Sequence, residues 1–186
     1  ETVDGLEEVF SVNHLAYYSF TLRLMNKLIE SGPSRVVNVA SGAHMFVKDM
    51  NFDDLQSEKE YKTMQVYGRS KLANILFTRE LAERLKGKGV TVNCLHPGFV
   101  NTGIGSNNSP TMGRILMTLA RPFSRKTDKG AQTSIYLCVS PEVENETGEY
   151  FYDCKKEKIS AAASDKENAT KLWEVSSKLT GIDLLD

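Results

Sequence analysis

The sequence has few of the features that are typical of secreted proteins or of membrane proteins. Its 186 residues include three cysteines, and their spacing matches no zinc-binding pattern. The formal net charge is −1, so no excess of positive charge attracts nucleic acid or an anionic membrane. No run of about 18 apolar residues occurs, which excludes a transmembrane helix within this sequence. Since no signal peptide opens the chain either, an intracellular protein is expected.

Three kinds of site are also absent from the sequence. The histidines His14, His44 and His96 lack the spacing and the neighbouring thiols or carboxylates of a metal site. The serine in "VASGA" lacks the Gly-x-Ser-x-Gly pattern of a serine hydrolase. No glycine-rich turn joins a strand to a helix, because Gly103 and Gly105 do not lie in such a unit. The sequence therefore predicts no metal, no hydrolase nucleophile and no phosphate-binding loop of its own.

The sequence does contain an alternation of helical and strand patterns. Apolar residues at steps of three and four predict helices, and short valine-rich runs predict buried strands. In chain order we expect a helix over 4–30, a strand over 35–40, a helix over 65–86, a strand over 90–95, a helix over 127–139, a strand in "GEYFYD" and a helix that ends at Gly181. This order predicts a single domain over residues 1–186, with the α/β fold of a doubly wound parallel sheet.

Two of the predicted strands are followed by residues that can take part in catalysis or ligand binding. Ser41 comes directly after "RVVNVA", and His96-Pro97-Gly98 comes directly after "VTVNCL". Ligands of doubly wound sheets bind beyond the carboxyl ends of the strands. We therefore expect both segments to border a ligand site.

Tyr67 and Lys71 lie four residues apart in a predicted helix, so their side chains share one face. A free phenol has a pKa of about 10, and a nearby ammonium favours its ionised form, as general acid–base chemistry requires. The alternative is an ordinary solvated pair, which the spacing alone favours. A second pair, Tyr152 and Lys156, spans a strand and a turn, so no helix face aligns its side chains.

The surroundings of Tyr67 resemble those of the short-chain dehydrogenases/reductases. The matching stretches are, in chain order, "VNH", "VNVAS", "YGRSK" and "HPGFVNT", and Tyr-x-x-x-Lys with a serine before the lysine is the signature of that family. The longer stretches "SKLANILFTRELAERLKGKGVTVNCLHPG" and "LWEVSSKLTGI" look like the retinol-dehydrogenase-like branch. The resemblance covers nearly the whole chain. It implies a Rossmann-like fold and hydride transfer between a nicotinamide cofactor and a carbonyl or alcohol.

By position, the resemblance assigns roles to individual residues. It makes Tyr67 the general acid/base, Lys71 the cation that stabilises its phenolate, Ser41 the group that orients the substrate oxygen, and Asn13 the side chain that holds a water of the proton relay. The cofactor-binding residues that it implies are Tyr67, Lys71, Pro97, Gly98, Val100 and Thr102. Ala40 departs from the pattern, because the branch commonly has serine at this position.

Two features of the family are not in the chain, namely the glycine-rich turn after its first strand and an Asn-Asn-Ala-Gly stretch. We therefore expect the second half of such a fold, with the catalytic and substrate-binding portion of a dinucleotide-binding oxidoreductase. The alternative is a truncated, non-catalytic member or fragment that acts only through protein association.

The resemblance also implies ligands, partners and a location. NADP(H) is favoured as the cofactor, with NAD(H) as the alternative. The expected substrate is a lipophilic carbonyl or alcohol such as a retinoid, and apolar residues over 103–125 would line its pocket or simply face the core. Family members often pair through two long helices, here over 4–30 and 65–86, so a homodimer is expected. The location would be cytoplasmic, or membrane-associated through a segment outside this sequence.

Overall fold

The computed structural model describes residues 1–100 and 125–183, in which helices alternate with strands. The α-helices are α1 (Glu8–Phe10), α2 (Ala16–Arg23), α3 (Met25–Glu30), α4 (Thr63–Arg84), α5 (Thr127–Val139), α6 (Ala161–Ser164) and α7 (Lys166–Thr180). The strands are β1 (Ser34–Val39), β2 (Val90–Leu95), β3 (Tyr150–Tyr152) and β4 (Lys155–Lys156). None of the helices described here is both long enough and apolar enough to cross a membrane.

The four strands form one sheet in the order β1-β2-β3-β4. The first three run parallel, with Ser34 opposite Val90 and Cys94 opposite Tyr150, while β4 returns antiparallel to β3. The parallel sheet predicted from the sequence is therefore confirmed. The short antiparallel β4 was not predicted, and it makes the sheet mixed at this edge.

Helices cover both faces of the sheet because successive residues of a strand point to opposite sides. Val92 and Cys94 of β2 are fully buried in clusters with residues of α4, whereas the next residue, Leu95, packs with Leu137 of α5 and with Phe151 of β3. This arrangement is the doubly wound architecture that the sequence predicts.

The single helix expected over residues 4–30 is instead three α-helical segments. A π-helical turn, Ser11–Leu15, separates α1 from α2, and Leu24 separates α2 from α3. The first helix also begins later than the expected position 4. Glu7 is the N-cap, and its carboxylate accepts hydrogen bonds from the Val9 and Phe10 amides at 2.8 and 2.6 Å, because it reaches the free N–H groups of the first turn.

The long helix α4 lies in the centre of the described structure and is buried on several sides. It packs against β2 on one side and against α7 on another. An aromatic cluster joins α4 to its neighbours, with Phe77 stacked 6.0 Å from Trp173 of α7 and tilted 5.5 Å from Tyr18 of α2. Because α7 covers part of α4, that part of the helix surface is not free for the homodimer contact expected from the sequence.

Strand β1 has a hydrogen-bonded neighbour on one side only among the described strands. A groove of about 560 Å³ runs along this region, between β1 and the α2–α3 segment, and its apolar lining includes Phe20, Leu24 and Val36. The Phe20 side chain is 69% exposed there. The edge of β1 therefore combines unpaired backbone groups with an apolar surface.

Candidate active site

The fold brings together most of the site residues that the sequence predicts. Ser41 follows β1 and Pro97 follows β2, and these parallel strands end at the same edge of the sheet. Tyr67 and Lys71 lie one turn apart on α4, which packs against the turn that follows Ser41. Thr102 lies outside the described residues. The stretch over 103–125, whose apolar residues were expected to line a pocket, also lies outside them, except for its last residue, Arg125.

Lys71 is held between the sheet and the phenol ring. Its Nζ lies 5.8 Å from the centre of the Tyr67 ring and donates a hydrogen bond to the Val39 carbonyl at 3.2 Å. The side chain is buried, and this burial lowers the pKa of Lys71 because the charged form loses its hydration. The pair is therefore not the solvated surface pair that the spacing alone favours.

The ammonium of Lys71 has donors to spare for a ligand. A lysine carries three N–H donors, and the Val39 carbonyl accepts one of them. The same carbonyl also accepts a hydrogen bond from Asn74 Nδ2 at 3.3 Å, which anchors the middle of α4 to the end of β1. The remaining N–H groups beside a tyrosine fit the hydroxyls of a nicotinamide ribose.

Asn13 lies within the π-helical turn and connects it to the catalytic helix. Its Nδ2 donates a hydrogen bond to Ser70 Oγ at 3.0 Å, and Ser70 Oγ donates in turn to the Tyr67 carbonyl at 2.8 Å. The irregular turn thus connects Asn13 to the backbone of Tyr67 through two successive hydrogen bonds, with Ser70 between them. Irregular π-helical turns are frequent at functional sites, and an amphipathic pattern cannot reveal them.

Ser41 begins a short 3₁₀ turn, Gly42–Phe46, and its Oγ accepts a hydrogen bond from the Ala43 amide at 3.2 Å. This turn approaches α4 closely at Gly68. A Cβ on Gly68 would lie 2.9 Å from the Ala43 carbonyl oxygen and 2.9 Å from Val47 Cγ1. Gly68 therefore allows the turn of Ser41 to touch the helix of Tyr67. The sequence analysis missed this role, although a glycine next to Tyr67 in a helix was a visible signal.

The loop after β2 is held by His96 and by an aromatic stack. His96 Nδ1 accepts a hydrogen bond from the Gly98 amide at 3.2 Å, and its ring lies flat on Tyr152, with 4.1 Å between the ring centres. Gly98 has a φ of 78°, which glycine adopts without strain. A Cβ there would lie 3.2 Å from Tyr152 Cε2 and from Arg125 Cδ. The site thus includes His96, the first residue of a segment that the sequence predicts to border a ligand site.

Val100 points away from this loop toward α5. A Cβ on Gly130 would lie 2.6 Å from Val100 Cγ2, so the valine side chain packs directly against the first turn of that helix. Val100 and Arg125 also form an isolated parallel bridge. Among the predicted cofactor-binding residues, Val100 therefore has the clearest packing role.

The second Tyr-x-x-x-Lys pair has a different geometry, as the sequence predicts. Tyr152 lies in β3 and Lys156 in the antiparallel β4. The Lys156 ammonium forms ion pairs with Glu146 at 2.6 Å and with Glu149 at 3.2 Å. It is therefore occupied by surface carboxylates and does not serve the Tyr152 phenol.

Comparison with known proteins agrees with this geometry. The family model for short chain dehydrogenase matches residues 1–113, which include Ser41, Tyr67 and Lys71. Retinol dehydrogenase 14 of Homo sapiens is 48% identical over 184 residues, a match that covers 98% of this chain and 54% of that protein. The chain therefore spans about half the length of this relative.

Solved structures share the fold. The crystal structure of an uncharacterized protein from Mycobacterium Paratuberculosis has a TM-score of 0.74 at 27% identity, and the match covers 98% of this chain and 62% of that one. A structure described as an NAD(P) dependent gluconate 5-dehydrogenase from Beutenbergia cavernae, with bound NADP at low occupancy, has a TM-score of 0.56 at 22% identity over 77% of this chain and 53% of that one. Since the family match covers more than half of the chain and includes the serine, tyrosine and lysine that the fold brings together, the chain belongs to the short chain dehydrogenase family.

Proposed function

We propose that this chain is the catalytic portion of an NAD(P)-dependent oxidoreductase that interconverts a carbonyl and an alcohol. The observation that supports this function most directly is the buried Lys71 beside the half-buried Tyr67, next to the turn of Ser41. Burial of a lysine next to a phenol costs free energy of desolvation, which a solvent-exposed pair would not lose. Perturbed ionisable groups near the ends of sheet strands are typical of catalytic sites.

In the direction of reduction, Tyr67 donates its phenolic proton to the carbonyl oxygen of the substrate. A nicotinamide cofactor, when bound, would supply the hydride for the carbonyl carbon. Lys71 stabilises the phenolate that remains, because its ammonium lies on the same face of the helix. Ser41 donates a hydrogen bond to the substrate oxygen as negative charge develops there. Asn13 holds a water through which the Tyr67 proton is replaced.

The cofactor that we propose is NADP(H), with NAD(H) as the alternative. The free N–H donors of Lys71 and the hydroxyl of Tyr67 would bind the nicotinamide ribose, and the loop of Pro97 and Gly98 would lie against the nicotinamide. The similar fold with bound NADP supports a dinucleotide of this kind. The preference for NADP(H) follows the family resemblance, and Thr102 belongs to this cofactor-binding set by the same resemblance.

A lipophilic substrate of the retinoid kind fits the surface near the site. The relative that shares 48% of its residues over 184 positions is called a retinol dehydrogenase. Large apolar side chains are exposed on the turn of Ser41, at the start of α4 and just before it. They are Met45, Phe46, Tyr61 and Met64, and each is more than half exposed, at 58%, 70%, 55% and 58%. Such residues at the mouth of a site favour an apolar ligand over a polar one.

The second candidate function is association without catalysis. It is favoured by the groove along β1, where unpaired strand edge and apolar side chains are available to a protein partner. A homodimer formed through the helices also belongs to this proposal, and its contact would use the exposed Phe20 and Leu24 rather than the part of α4 that α7 covers. Sedimentation of the full-length protein as a monomer at high concentration would argue against the dimer.

The test of the proposed enzyme uses the full-length protein that contains this sequence. Reduction of retinal and of shorter aliphatic aldehydes is followed through the absorbance of NADPH, and then of NADH. We expect turnover that increases with the length of the apolar chain and that disappears in Tyr67→Phe. If the folded wild-type protein binds a nicotinamide cofactor but reduces none of these aldehydes and oxidises none of the alcohols, the association proposal replaces the enzyme.

A further inference from the structure

His44 lies three residues after Ser41 and is almost completely buried, with 1% of its surface exposed. Its Nδ1 lies 2.8 Å from the Ser41 carbonyl oxygen, and its Nε2 lies 3.4 Å from the amide nitrogen of Ser160. Both ring nitrogens therefore have partners in the backbone, one at each end of the ring. None of the roles assigned to the site residues above uses this side chain.

The two partners determine which nitrogen carries the proton. A backbone amide can only donate, so Nε2 must accept the hydrogen bond from Ser160. The proton of the neutral ring is then on Nδ1, which donates to the Ser41 carbonyl. Burial lowers the pKa of His44, which keeps the ring in this neutral state.

Aromatic neighbours fix the position of the ring. The ring meets Tyr150 of β3 edge-on, with 5.1 Å between ring centres and 72° between planes. His96 stacks on the same tyrosine at 5.6 Å. The imidazole of His44 thus connects the end of β1 to β3 and to the segment before α6, which makes it a rigid support rather than a freely rotating side chain.

The Ser41 carbonyl accepts two hydrogen bonds from His44, one from the backbone amide at 3.2 Å and one from Nδ1 at 2.8 Å. Together they fix the peptide plane that follows Ser41. The serine backbone is extended at this point, with φ −157° and ψ 151°. Because Ser41 Oγ already accepts a bond from the Ala43 amide, its own proton is available for a substrate oxygen.

We propose that His44 is a positioning residue that orients Ser41 for the substrate oxygen through the Nδ1–carbonyl hydrogen bond, without touching the substrate. This inference rests on the role proposed for Ser41 in carbonyl reduction. Without the Nδ1 bond, Ser41 keeps two longer bonds, from the His44 amide to its carbonyl and from the Ala43 amide to its Oγ, both at 3.2 Å. A shift of about 1 Å in such a group can lower turnover about 10²-fold.

Two isosteric variants separate the two ends of the ring. The amide nitrogen of asparagine occupies the place of Nδ1, so His44→Asn keeps a donor for the Ser41 carbonyl and loses the acceptor for Ser160. Glutamine reaches the place of Nε2, so His44→Gln keeps the acceptor and loses the donor. In the full-length enzyme we expect His44→Gln to lower kcat about 10- to 100-fold. His44→Asn should retain kcat within about threefold, with KM and cofactor Kd little changed in both.

A matched control measures the effect of losing an unrelated, partly buried hydrogen bond. Thr147 Oγ1 accepts a bond from the Val92 amide at 3.0 Å, far along β2 from the site, and Thr147→Val removes it. This variant should lower Tm while kcat per folded molecule stays unchanged. A purely structural role for His44 would give the same result, with Tm lowered in both His44 variants and kcat retained in both.

The outcomes are distinct. Loss of kcat in His44→Gln with retention in His44→Asn supports the inference. Full activity in His44→Gln, equal loss in both variants, or loss only in His44→Asn overturns it. Nitrogen-15 shifts of the wild-type ring that show the Nε2–H tautomer would also overturn it, whether or not the variants fold. If the folded wild-type enzyme turns over no carbonyl with either cofactor, the proposed function fails and this inference fails with it.

Discussion

The Lys71 ammonium lies 5.8 Å from the centre of the Tyr67 ring, and it is tied to the Val39 carbonyl at the end of β1. The lysine therefore connects the catalytic helix to the sheet and faces the phenol at the same time. A solvent-exposed lysine that is paired with a surface carboxylate would neither connect the helix to the sheet nor face the phenol. This relationship makes the two side chains separable by mutation, because the proposed proton donor and the cation that sets its electrostatic environment are different residues.

The first prediction concerns Tyr67. Tyr67→Phe removes the proton donor while the ring stays in place, so turnover should fall by about 10²–10⁴-fold, the range typical of general acid–base groups. Cofactor affinity should fall far less than turnover, because the Lys71 donors to the ribose remain when the Tyr67 hydroxyl is lost. Steady-state reduction of a lipophilic aldehyde and fluorescence titration of the cofactor measure the two quantities separately.

Tyr152→Phe is the control for that prediction. Its ring would keep the stack on His96, and Lys156 remains paired with Glu146 and Glu149, so turnover should stay near the wild-type value. Near-normal turnover in Tyr67→Phe together with a large loss in Tyr152→Phe would reverse the assignment of the general acid.

The second prediction concerns Lys71 and separates activity from stability. Burial lowers the pKa of Lys71 below its ordinary value of 10.5, so at neutral pH the folded state contains a buried charge that the unfolded state hydrates. Lys71→Met should stabilise the fold by about 0.5–2 kcal/mol while turnover falls at least about 10²-fold. The Val39 carbonyl keeps its bond from Asn74 in this variant.

The pH dependence of that stability difference has a definite sign. Between the lowered pKa and 10.5 the unfolded state binds the lysine proton and the folded state does not, so wild-type stability rises with pH there. The advantage of Lys71→Met should therefore be constant at lower pH and shrink across this window. Denaturant melts of the wild type and of Lys71→Met across this pH range measure the trend. A wild type more stable than Lys71→Met at pH 7 would contradict the argument.

Local patterns predict the strands and the shared helix face of Tyr67 and Lys71, because each is encoded in a few neighbouring residues. The valine-rich run before Ser41 predicts β1, and the four-residue step predicts that Tyr67 and Lys71 share a face. The pairing of β3 with β4 was not predicted. Its turn uses left-handed backbone at Asp153 and Cys154, with φ of 51° and 61°, and this dipeptide lacks the asparagine–glycine signal of such turns.

The supporting residues of the site were harder to predict because they act through tertiary contacts. Nothing in the spacing of His44 indicates that its far nitrogen meets Ser160, which lies more than a hundred positions later in the sequence. The π-helical turn that contains Asn13 is likewise set by packing against α4. These contacts exist only once the strands and helices are assembled, so a reading of local periodicity does not reveal them.

The third prediction concerns the close contact at Gly68. Replacing a helical glycine by alanine usually stabilises a protein by up to about 1 kcal/mol. At Gly68 the added Cβ would meet the Ala43 carbonyl oxygen and Val47 Cγ1, both at 2.9 Å. We therefore expect Gly68→Ala to destabilise the protein by about 1–3 kcal/mol and to lower turnover, since it moves the turn of Ser41 away from Tyr67. Thermal melts and steady-state kinetics measure both effects. A rise in Tm would show that the turn of Ser41 moves aside without destabilising the protein.

The last prediction concerns the edge of β1 in the isolated 186-residue chain. Strand edges with apolar surroundings pair with other chains unless they are covered or charged. The isolated chain should therefore self-associate, and Phe20→Lys, which places a charge in the groove beside β1, should raise its soluble concentration several-fold. Because Phe20 is 69% exposed, this change should leave the free energy of unfolding within about 0.5 kcal/mol of the wild-type value.

Val139→Lys is the matched control, since Val139 is 70% exposed but does not line the groove. Sedimentation velocity over a range of concentrations measures the association. A monomeric wild-type chain that melts cooperatively, or equal gains in solubility from both substitutions, would show that the edge of β1 is not the surface responsible.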